Sequence, residues 1–359
     1  MTHSPFSSDF SSARELFVAS AKEAAASLES HPYPASGPQG EPLATDVAWI
    51  GAKDAPKVFV MVSGTHGVEG FCGSAAQADW LKRGEWKRLP ADTAAMLVHA
   101  INPYGFAWLR RVTHENVDLN RNWADFSTAS ALNPGYDDLS DALCPTEWNA
   151  ESQLRTLSIL QDYIARHGME RFVTVVSSGQ HRHPDGLFYG GQSPCFARRT
   201  LENILTKGLT TAQRVAVIDY HTGLGPFGYA ELMTGAPQGS EVHTRACSWY
   251  GSTVTPVGVA ESASARISGD WISAVPTILP HAEVTAIAME YGTVSPLEVL
   301  QALRADNWLH RCTDATQAWP HPIKQGMLSA FLGSTDIWRG MILGQSLATT
   351  RQAVRGLQQ

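Results

Sequence analysis

The stretch VFVMVSGTHGVEG, residues 58–70, decides the fold. It joins an apolar run typical of a buried strand to a glycine-rich turn that leads into a helix. His66 and Glu69 lie three residues apart on that turn, where an imidazole and a carboxylate can point at one metal ion. Taken alone, this spacing fits a polar turn as well as it fits a metal site.

Further apolar runs alternate with helix-like segments along the chain. Buried strands are predicted at 58–63, 95–101, 172–176, 215–220 and 286–290, and helices at 72–83, 150–167, 195–207 and 296–310. This alternation predicts an α/β fold with a mixed, mostly parallel twisted sheet and helices on both faces.

The domain organisation predicted for the 359 residues is a single catalytic domain, 1–359. Residues 1–43 are predicted to form an N-terminal helix, at 11–28, followed by a connector rich in Pro and Gly. Residues 223–284 are rich in Gly, Pro, Ser and Thr, and we expect a loop-rich subregion over the site there.

The composition excludes several classes of protein. A hydrophobic fraction of 43% supports an extensive core, and a net charge of -7 without any run of basic residues argues against binding to nucleic acid or a membrane surface. The five cysteines contain no C-x-x-C pair, which argues against a disulfide framework and a thiolate zinc site. Because neither a secretory signal nor a membrane-spanning apolar run is evident, we expect a cytoplasmic protein.

A second polar cluster follows the predicted strand at 95–101. In INPYGFAWLRRVTHENVDLNRNW, residues 101–123, Arg121 and Asn120 can clamp a carboxylate and Arg111 can stabilise a developing oxyanion. The alternative is a loop held together by Asn and Asp turns, with solvated arginines.

The chain contains its own control for the spacing of His66 and Glu69. His167 and Glu170 have the same separation, but they follow a helix-like segment instead of a strand. Sites in open α/β sheets form beyond the carboxyl ends of strands. This favours His66 and Glu69 over the second pair.

Five motifs occur in a characteristic order: HGVEG, NPYGF, VDLNRNW, GQHRHPDGLFYGG and DYHTGLGP. With Arg111 before the third motif, the chain resembles the M14 zinc carboxypeptidase superfamily, and within it the bacterial branch described as DUF2817. The resemblance runs from about residue 30 to at least residue 300. That superfamily includes the succinylglutamate desuccinylase and aspartoacylase group, which cleaves N-acyl amino acids.

The resemblance implies one zinc ion per chain, with His66 and Glu69 as the first two ligands. The third ligand is a histidine from a distant strand, and His221 fits because it ends an apolar run before a glycine-rich turn. Asp118 is implied as the carboxylate that orients His66 and fixes its tautomer.

The resemblance also implies the catalytic and substrate-binding residues. Glu290, at the end of the apolar run in AIAMEYGTVSP, would accept a proton from the attacking water and later donate one to the leaving amine. Arg111 would hold the polarised carbonyl. Asn120 and Arg121 would hold a free carboxylate of the substrate.

Other histidines and tyrosines have less specific interpretations. His181 and His183 could line the substrate or stabilise their loop, and His99 is predicted to be a buried core residue. Carboxypeptidases use a mobile tyrosine near the substrate, for which Tyr229 and Tyr250 are candidates by position only.

The function predicted from these residues is zinc-dependent hydrolysis of an amide bond next to a free carboxylate, by a carboxypeptidase-like peptidase. The first alternative is an N-acyl amino acid deacylase of the aspartoacylase type, and the second is an inactive zinc- or carboxylate-binding protein. The expected partner is a small peptide or an N-acyl amino acid. Oligomeric state is not predicted.

Overall fold

A single mixed sheet organises the protein. The structure, a computed structural model, describes residues 4–128, 133–259, 262–265, 267–312 and 319–359. Its strands are β1 (Ser27–Ser36), β2 (Pro42–Ile50), β3 (Lys57–Val62), β4 (Thr93–His99), β5 (Arg214–Phe227), β6 (Ala230–Thr234), β7 (Thr255–Pro256) and β8 (Glu283–Gly292). They are ordered β1-β2-β4-β3-β5-β8-β6-β7. The central strands β4, β3, β5 and β8 are mutually parallel, while the pairs β1/β2, β2/β4 and β6/β8 are antiparallel.

Helices cover both faces of this sheet. The α-helices within the described ranges are α1 (Phe10–Glu23), α2 (Gly70–Lys82), α3 (Pro103–Ala107), α4 (Ser140–Leu143), α5 (Ala150–His167), α6 (Met169–Ser177), α7 (Phe196–Gly208), α8 (Glu241–Tyr250), α9 (Trp271–Ile278), α10 (Pro296–Cys312), α11 (Pro322–Phe331) and α12 (Asp336–Gly356). None of these helices is both long enough and apolar enough to cross a membrane.

Alternation along the strands gives each face its own core. Val58, Val60 and Val62 of β3 point to the first face, where they join buried residues of α7, α9, α10 and α11. Phe59 and Met61 point to the second face, which α2, α8 and α12 cover. Burying each such side chain contributes roughly 1.5–3 kcal/mol. The predicted α/β fold with helices on both faces is confirmed.

Four of the five predicted strands are confirmed, and the prediction at 172–176 is wrong. These residues form most of α6, in which Phe172, Val175 and Val176 are buried and Val173 is exposed. A spacing of three and four residues is that of one helix face. Packing of this face outweighs the β propensity of the apolar run.

The predicted connector within residues 1–43 is also wrong. After α1, residues 27–36 form β1, which pairs with β2 from Ser27 to Pro32 and again at Ser36. The prolines of this segment suggested a loop, but β1 is the edge strand of the sheet, where proline is tolerated.

The segment 223–284 has more regular structure than predicted, although residues 260, 261 and 266 lie outside the described ranges. It contains β6, β7, α8 and α9, whose shortness weakens their periodic signal. Only part of it lies near the loop 101–123: the amide of Trp123 donates to the carbonyl of Gly269 at 2.9 Å. Helix α8 packs on the second face of the sheet.

Candidate metal centre

His66 and Glu69 lie on a tight turn between β3 and α2. A short 3-10 helix, Gly67–Glu69, carries the chain directly into α2. Glycine is required at position 67 because a Cβ atom there would lie 2.0 Å from the backbone of Gly105. The amides of Gly67 and Val68 donate to the carbonyls of Arg111 and Arg110 at 3.1 and 2.8 Å. The turn is therefore fixed by the loop that follows β4.

His221 reaches the same place from the sheet. It lies on β5 beside Glu290 of β8 in the parallel register. Both residues point to the first face, as Val217 and Ala288 do on the same strands. The predicted ligand and the predicted base are thus neighbours across two central strands.

The three predicted ligands converge in a buried cluster. The two Nδ1 atoms of His66 and His221 lie 3.2 Å apart, and each lies 3.0 Å from an oxygen of Glu69. The three residues are at most 4% exposed. Within the described residues they form the single group of His, Cys, Asp and Glu side chains arranged to hold a metal ion.

Each histidine has its own carboxylate on the far side of the ring. Nε2 of His66 lies 3.1 Å from Asp118, and Nε2 of His221 lies 2.5 Å from Asp219. The role of Asp118 was expected, whereas Asp219 was missed. The signal for Asp219 was present in the sequence as D-x-H on a strand, a spacing that puts both side chains on one face.

The donor set fits a divalent cation such as zinc. A carboxylate at Nε2 holds the ring proton there, so each Nδ1 presents a lone pair to the centre of the cluster. When both rings are neutral, the two Nδ1 atoms and the Glu69 carboxylate face one another as acceptors, and a cation between them satisfies all three. Ligands about 2.1 Å from a tetrahedral ion lie roughly 3.4 Å apart, close to the observed separations, and two histidines with one glutamate form a known catalytic zinc set.

The charges of the cluster support this interpretation. Burial opposes ionisation of Glu69, but His66 and His221 outweigh it and hold the pKa of Glu69 below its usual value. Burial likewise opposes ionisation of Asp118, yet Arg111 keeps the pKa of that carboxyl well below its usual range. For His221, Asp219 and Glu69 overcome burial and raise its pKa. A proton on His221 therefore offsets part of the negative charge of the site in the metal-free protein, and a divalent cation would take the place of that proton.

Arg111 lies against the cluster. Its Nη1 donates to Glu69 at 3.1 Å and its Nε to Asp118 at 2.9 Å. Burial lowers the pKa of Arg111, but Asp118 and Glu69 outweigh it and raise the pKa above its usual value. The guanidinium is therefore a permanent positive charge beside the ligands.

Glu290 is buried with little compensation. One carboxylate oxygen accepts the amide of Leu224 at 2.9 Å. Burial, together with the negative charge of Glu69, raises the pKa of Glu290 to about 8. A raised pKa is what a group needs to exchange protons near neutral pH.

Asn120 and Arg121 have different surroundings. Nδ2 of Asn120 lies 3.5 Å from Nε2 of His221, and its Oδ1 accepts the amide of Trp271 at 3.4 Å. Arg121 donates instead to the carbonyls of Ser177 and Asn120. Burial lowers the pKa of Arg121 despite the nearby Asp118. The structure thus brings Asn120 to the cluster, while the described bonds of Arg121 go to the main chain.

The remaining candidates lie outside the cluster. Nδ1 of His181 donates to the Gly191 carbonyl at 2.6 Å, and Nε2 of His183 lies 2.7 Å from Asp137. Tyr250 is buried in the core of the second face and cannot reach the site. Tyr229 is exposed and directly precedes β6.

Two further predictions concern His99 and the second His–Glu pair. His99 is fully buried as expected and bonds Ser74 at 2.9 Å. His167 ends α5 and Glu170 lies in α6, away from any strand end.

Another buried carboxylate near the site was missed. Glu231 of β6 lies directly opposite Glu290 of β8 and is equally buried, at 8% exposed. Its oxygens accept from Thr255 at 2.6 Å and from the amide of Ala263 at 2.9 Å. These bonds hold it to the segment after β7, and its alternating position on a strand was the signal for it.

Fold and cluster together define an α/β protein with a buried His–Glu–His centre suited to one divalent cation. The chain belongs to the family described as Protein of unknown function (DUF2817), which matches residues 6–345. This confirms the family branch predicted from the motifs. No curated protein matches the chain.

Several solved structures resemble the chain in overall path. Bovine thrombin-activatable fibrinolysis inhibitor, solved with a tick carboxypeptidase inhibitor, has 9% identity and a TM-score of 0.48, covering 96% of this chain and 99% of that one. Carboxypeptidase A from Helicoverpa armigera has 12% identity and a TM-score of 0.44, covering 95% and 73%. A succinylglutamate desuccinylase from Silicibacter has 12% identity and a TM-score of 0.39, covering 78% and 64%.

Proposed function

We propose that this protein is a zinc-dependent hydrolase that cleaves an amide bond next to a free carboxylate, with peptides as the first substrates to test. The observation that carries the proposal is the convergence of His66 Nδ1, Glu69 and His221 Nδ1, each histidine backed by its own carboxylate. Zinc, when bound there, supplies Lewis acidity that activates water and polarises a carbonyl.

The protein's own groups have separate tasks in this proposal. Glu290 accepts the proton of the attacking water at a carboxylate oxygen and later passes a proton to the leaving amine. Arg111 donates to the carbonyl oxygen as negative charge develops. Asn120, beside His221, and Arg121 orient the free carboxylate, which requires Arg121 to exchange a carbonyl partner for the substrate.

A deacylase acting on N-acyl amino acids is the second candidate, and the burial of the site favours it. His66, Asn120 and Glu290 are each at most 9% exposed, which suits a small enclosed substrate better than a long peptide. The proposed compartment is the cytoplasm, since the four cysteines whose side chains are described are all free thiols.

One experiment tests these alternatives together. Zinc per chain and hydrolysis of a panel of peptides and N-acyl amino acids are measured on the same samples of wild type, Glu290→Gln and Glu231→Gln. The last is the matched control, because Glu231 is an equally buried carboxylate on the adjacent strand.

We expect one zinc per chain in all three proteins and a loss of roughly 100- to 10,000-fold in turnover for Glu290→Gln alone. A rate near wild type in Glu290→Gln would reject Glu290 as the base. Full zinc occupancy without hydrolysis of any substrate would favour the inactive binding protein.

A further inference from the structure

Two consecutive arginines in the loop after α3 point in opposite directions. Arg111 contacts the metal cluster, whereas Arg110 donates from Nε to Asp306 of α10 at 3.0 Å and from Nη2 to Asn116 at 3.2 Å. The carbonyls of both arginines accept the amides of Gly67 and Val68. The main chain of the two arginines is therefore bonded to the turn that carries His66 and Glu69, while the side chain of Arg110 is bonded to α10.

Asp306 also binds a buried lysine. Its second oxygen accepts from Nζ of Lys324, in the first turn of α11, at 2.5 Å, and the same Nζ lies 2.5 Å from Nε2 of His310. Burial, together with Arg110, lowers the pKa of His310 to about 2, so His310 is neutral and accepts from Lys324. Asp306 and Lys324 are each 3% exposed. Two cations thus share one carboxylate away from water.

The other end of α11 contacts the second half of the metal centre. The carbonyl of Phe331 accepts the hydroxyl of Thr222, next to His221, at 2.6 Å. The Phe331 ring packs against Gly223, where a Cβ atom would lie 3.1 Å away. One helix therefore connects the turn of His66 with the strand end of His221.

We propose that Arg110, Asp306 and Lys324 are positioning residues that set the separation of the His66–Glu69 turn from His221. They act through the carbonyls of Arg110 and Arg111 on one side and through α11 on the other. The proposal rests on the proposed metal site, but its first test is made without metal. A buried ion network is not by itself evidence of a contribution to the free energy of unfolding. The property that distinguishes this proposal is therefore an effect on the geometry of the metal site.

The test separates positioning from stability. Asp306→Asn leaves two buried cations without their carboxylate and lowers stability. Adding Lys324→Met removes one of these cations and restores most of the stability, while Arg110 remains without its anchor. Lys324→Met alone keeps a balanced pair of Arg110 and Asp306. Glu85→Gln is the matched control, because Glu85 is buried and binds Arg351 through both oxygens without contacting the cluster.

The first readout is hydrogen–deuterium exchange of the Gly67 and Val68 backbone amides in chelator-treated protein. The second is the visible absorption spectrum of the Co²⁺-loaded protein, which reports ligand geometry. In the Asp306→Asn, Lys324→Met double variant we expect near-normal thermal unfolding, roughly tenfold faster exchange of both amides, and an altered cobalt spectrum with roughly tenfold weaker binding. Glu85→Gln should match wild type in both readouts. Lys324→Met alone keeps the Arg110–Asp306 pair and should leave the exchange of both amides near wild type, but it releases α11 from Asp306 and should alter the cobalt spectrum.

The proposal would be overturned if the double variant regained wild-type amide exchange rates and a wild-type cobalt spectrum together with its stability. Failure of both Asp306→Asn proteins to fold, with normal Lys324→Met, would assign the network to stability and overturn it as well. A wild-type protein that binds no Co²⁺ would instead contradict the proposed function, and amide exchange would still decide the positioning role.

Discussion

The two histidines of the metal centre are oriented in the same way by different kinds of structure. His221 and its carboxylate, Asp219, are two residues apart on one strand. His66 lies on a turn, and its carboxylate, Asp118, is 52 residues away in a separate loop. Strand alternation is sufficient to build the first pair, whereas the second requires the loop 101–121 to dock on the turn. The first half of the centre is therefore local and the second is tertiary.

Replacing His221 removes the proposed ligand on β5, and the largest effect on metal binding is expected from this change. His221→Ala should reduce zinc from one per chain to nearly none, a larger loss than the roughly 10- to 100-fold that removal of an outer partner causes. Metal analysis of the purified protein measures it. His181→Ala is the control, since that histidine is also buried but binds the Gly191 carbonyl. Full retention of zinc in His221→Ala would mean that another residue is the third ligand.

The raised pKa of Glu290 on β8 predicts that the free energy of unfolding depends on pH. In metal-free protein the pKa of Glu290 is raised to about 8 from 4.5. Between these values the unfolded chain ionises while the folded protein holds the proton, so the free energy of unfolding falls as pH rises toward 8. Glu290→Gln lacks this titrating group. Its free energy of unfolding should therefore fall less than that of wild type between pH 5 and pH 9, by an amount on the order of a few kcal/mol.

Urea unfolding of both chelated proteins at pH 5 and pH 9 measures that difference. Parallel losses in wild type and Glu290→Gln would show that Glu290 is not held protonated by the fold.

Replacing the carboxylates that bind the two histidines tests whether the His221 half of the centre depends only on its own strand. Asp219→Asn and Asp118→Asn should each weaken zinc binding by about 10- to 100-fold. Because Asp118 also binds Arg111 and the amide of Asn120, its replacement should in addition speed amide exchange within 117–121. Asp219→Asn should leave that loop unchanged. Equal exchange of the loop in both variants would remove the distinction between the halves.

The same contrast explains how much could be predicted from sequence. The strands of His221 and Glu290 follow from apolar runs that end in polar residues, the roles of these two residues came with the family resemblance, and Asp219 could have been found from its spacing. Asp118 and Arg111 required the family resemblance, because nothing in local spacing joins them to His66. The anchor of Arg110 could not be predicted at all, since Asp306 is 196 residues away in sequence.

The errors in secondary structure have the same origin. The run at 172–176 has β-forming composition, and its helical state depends on which side chains the neighbouring helices bury. Strand β1 contains prolines that indicate a loop, and only its place at the sheet edge makes them acceptable. In both cases tertiary context decided the outcome.

The second His–Glu pair gives the smallest expected effect. His167→Ala with Glu170→Gln preserves the cluster and should leave zinc content unchanged, with a change in unfolding free energy within about 0.5 kcal/mol. Metal analysis and urea unfolding measure both quantities. Loss of zinc in this variant would show that spacing, and not position after a strand, selects the site.

The most direct measurement is anomalous diffraction at the zinc edge from crystals of the zinc-loaded protein. The account predicts one strong peak per chain, about 2.0–2.2 Å from Nδ1 of His66, a carboxylate oxygen of Glu69 and Nδ1 of His221. A peak at any other group of residues, or full zinc occupancy with the two Nδ1 atoms turned away from the metal, would contradict it.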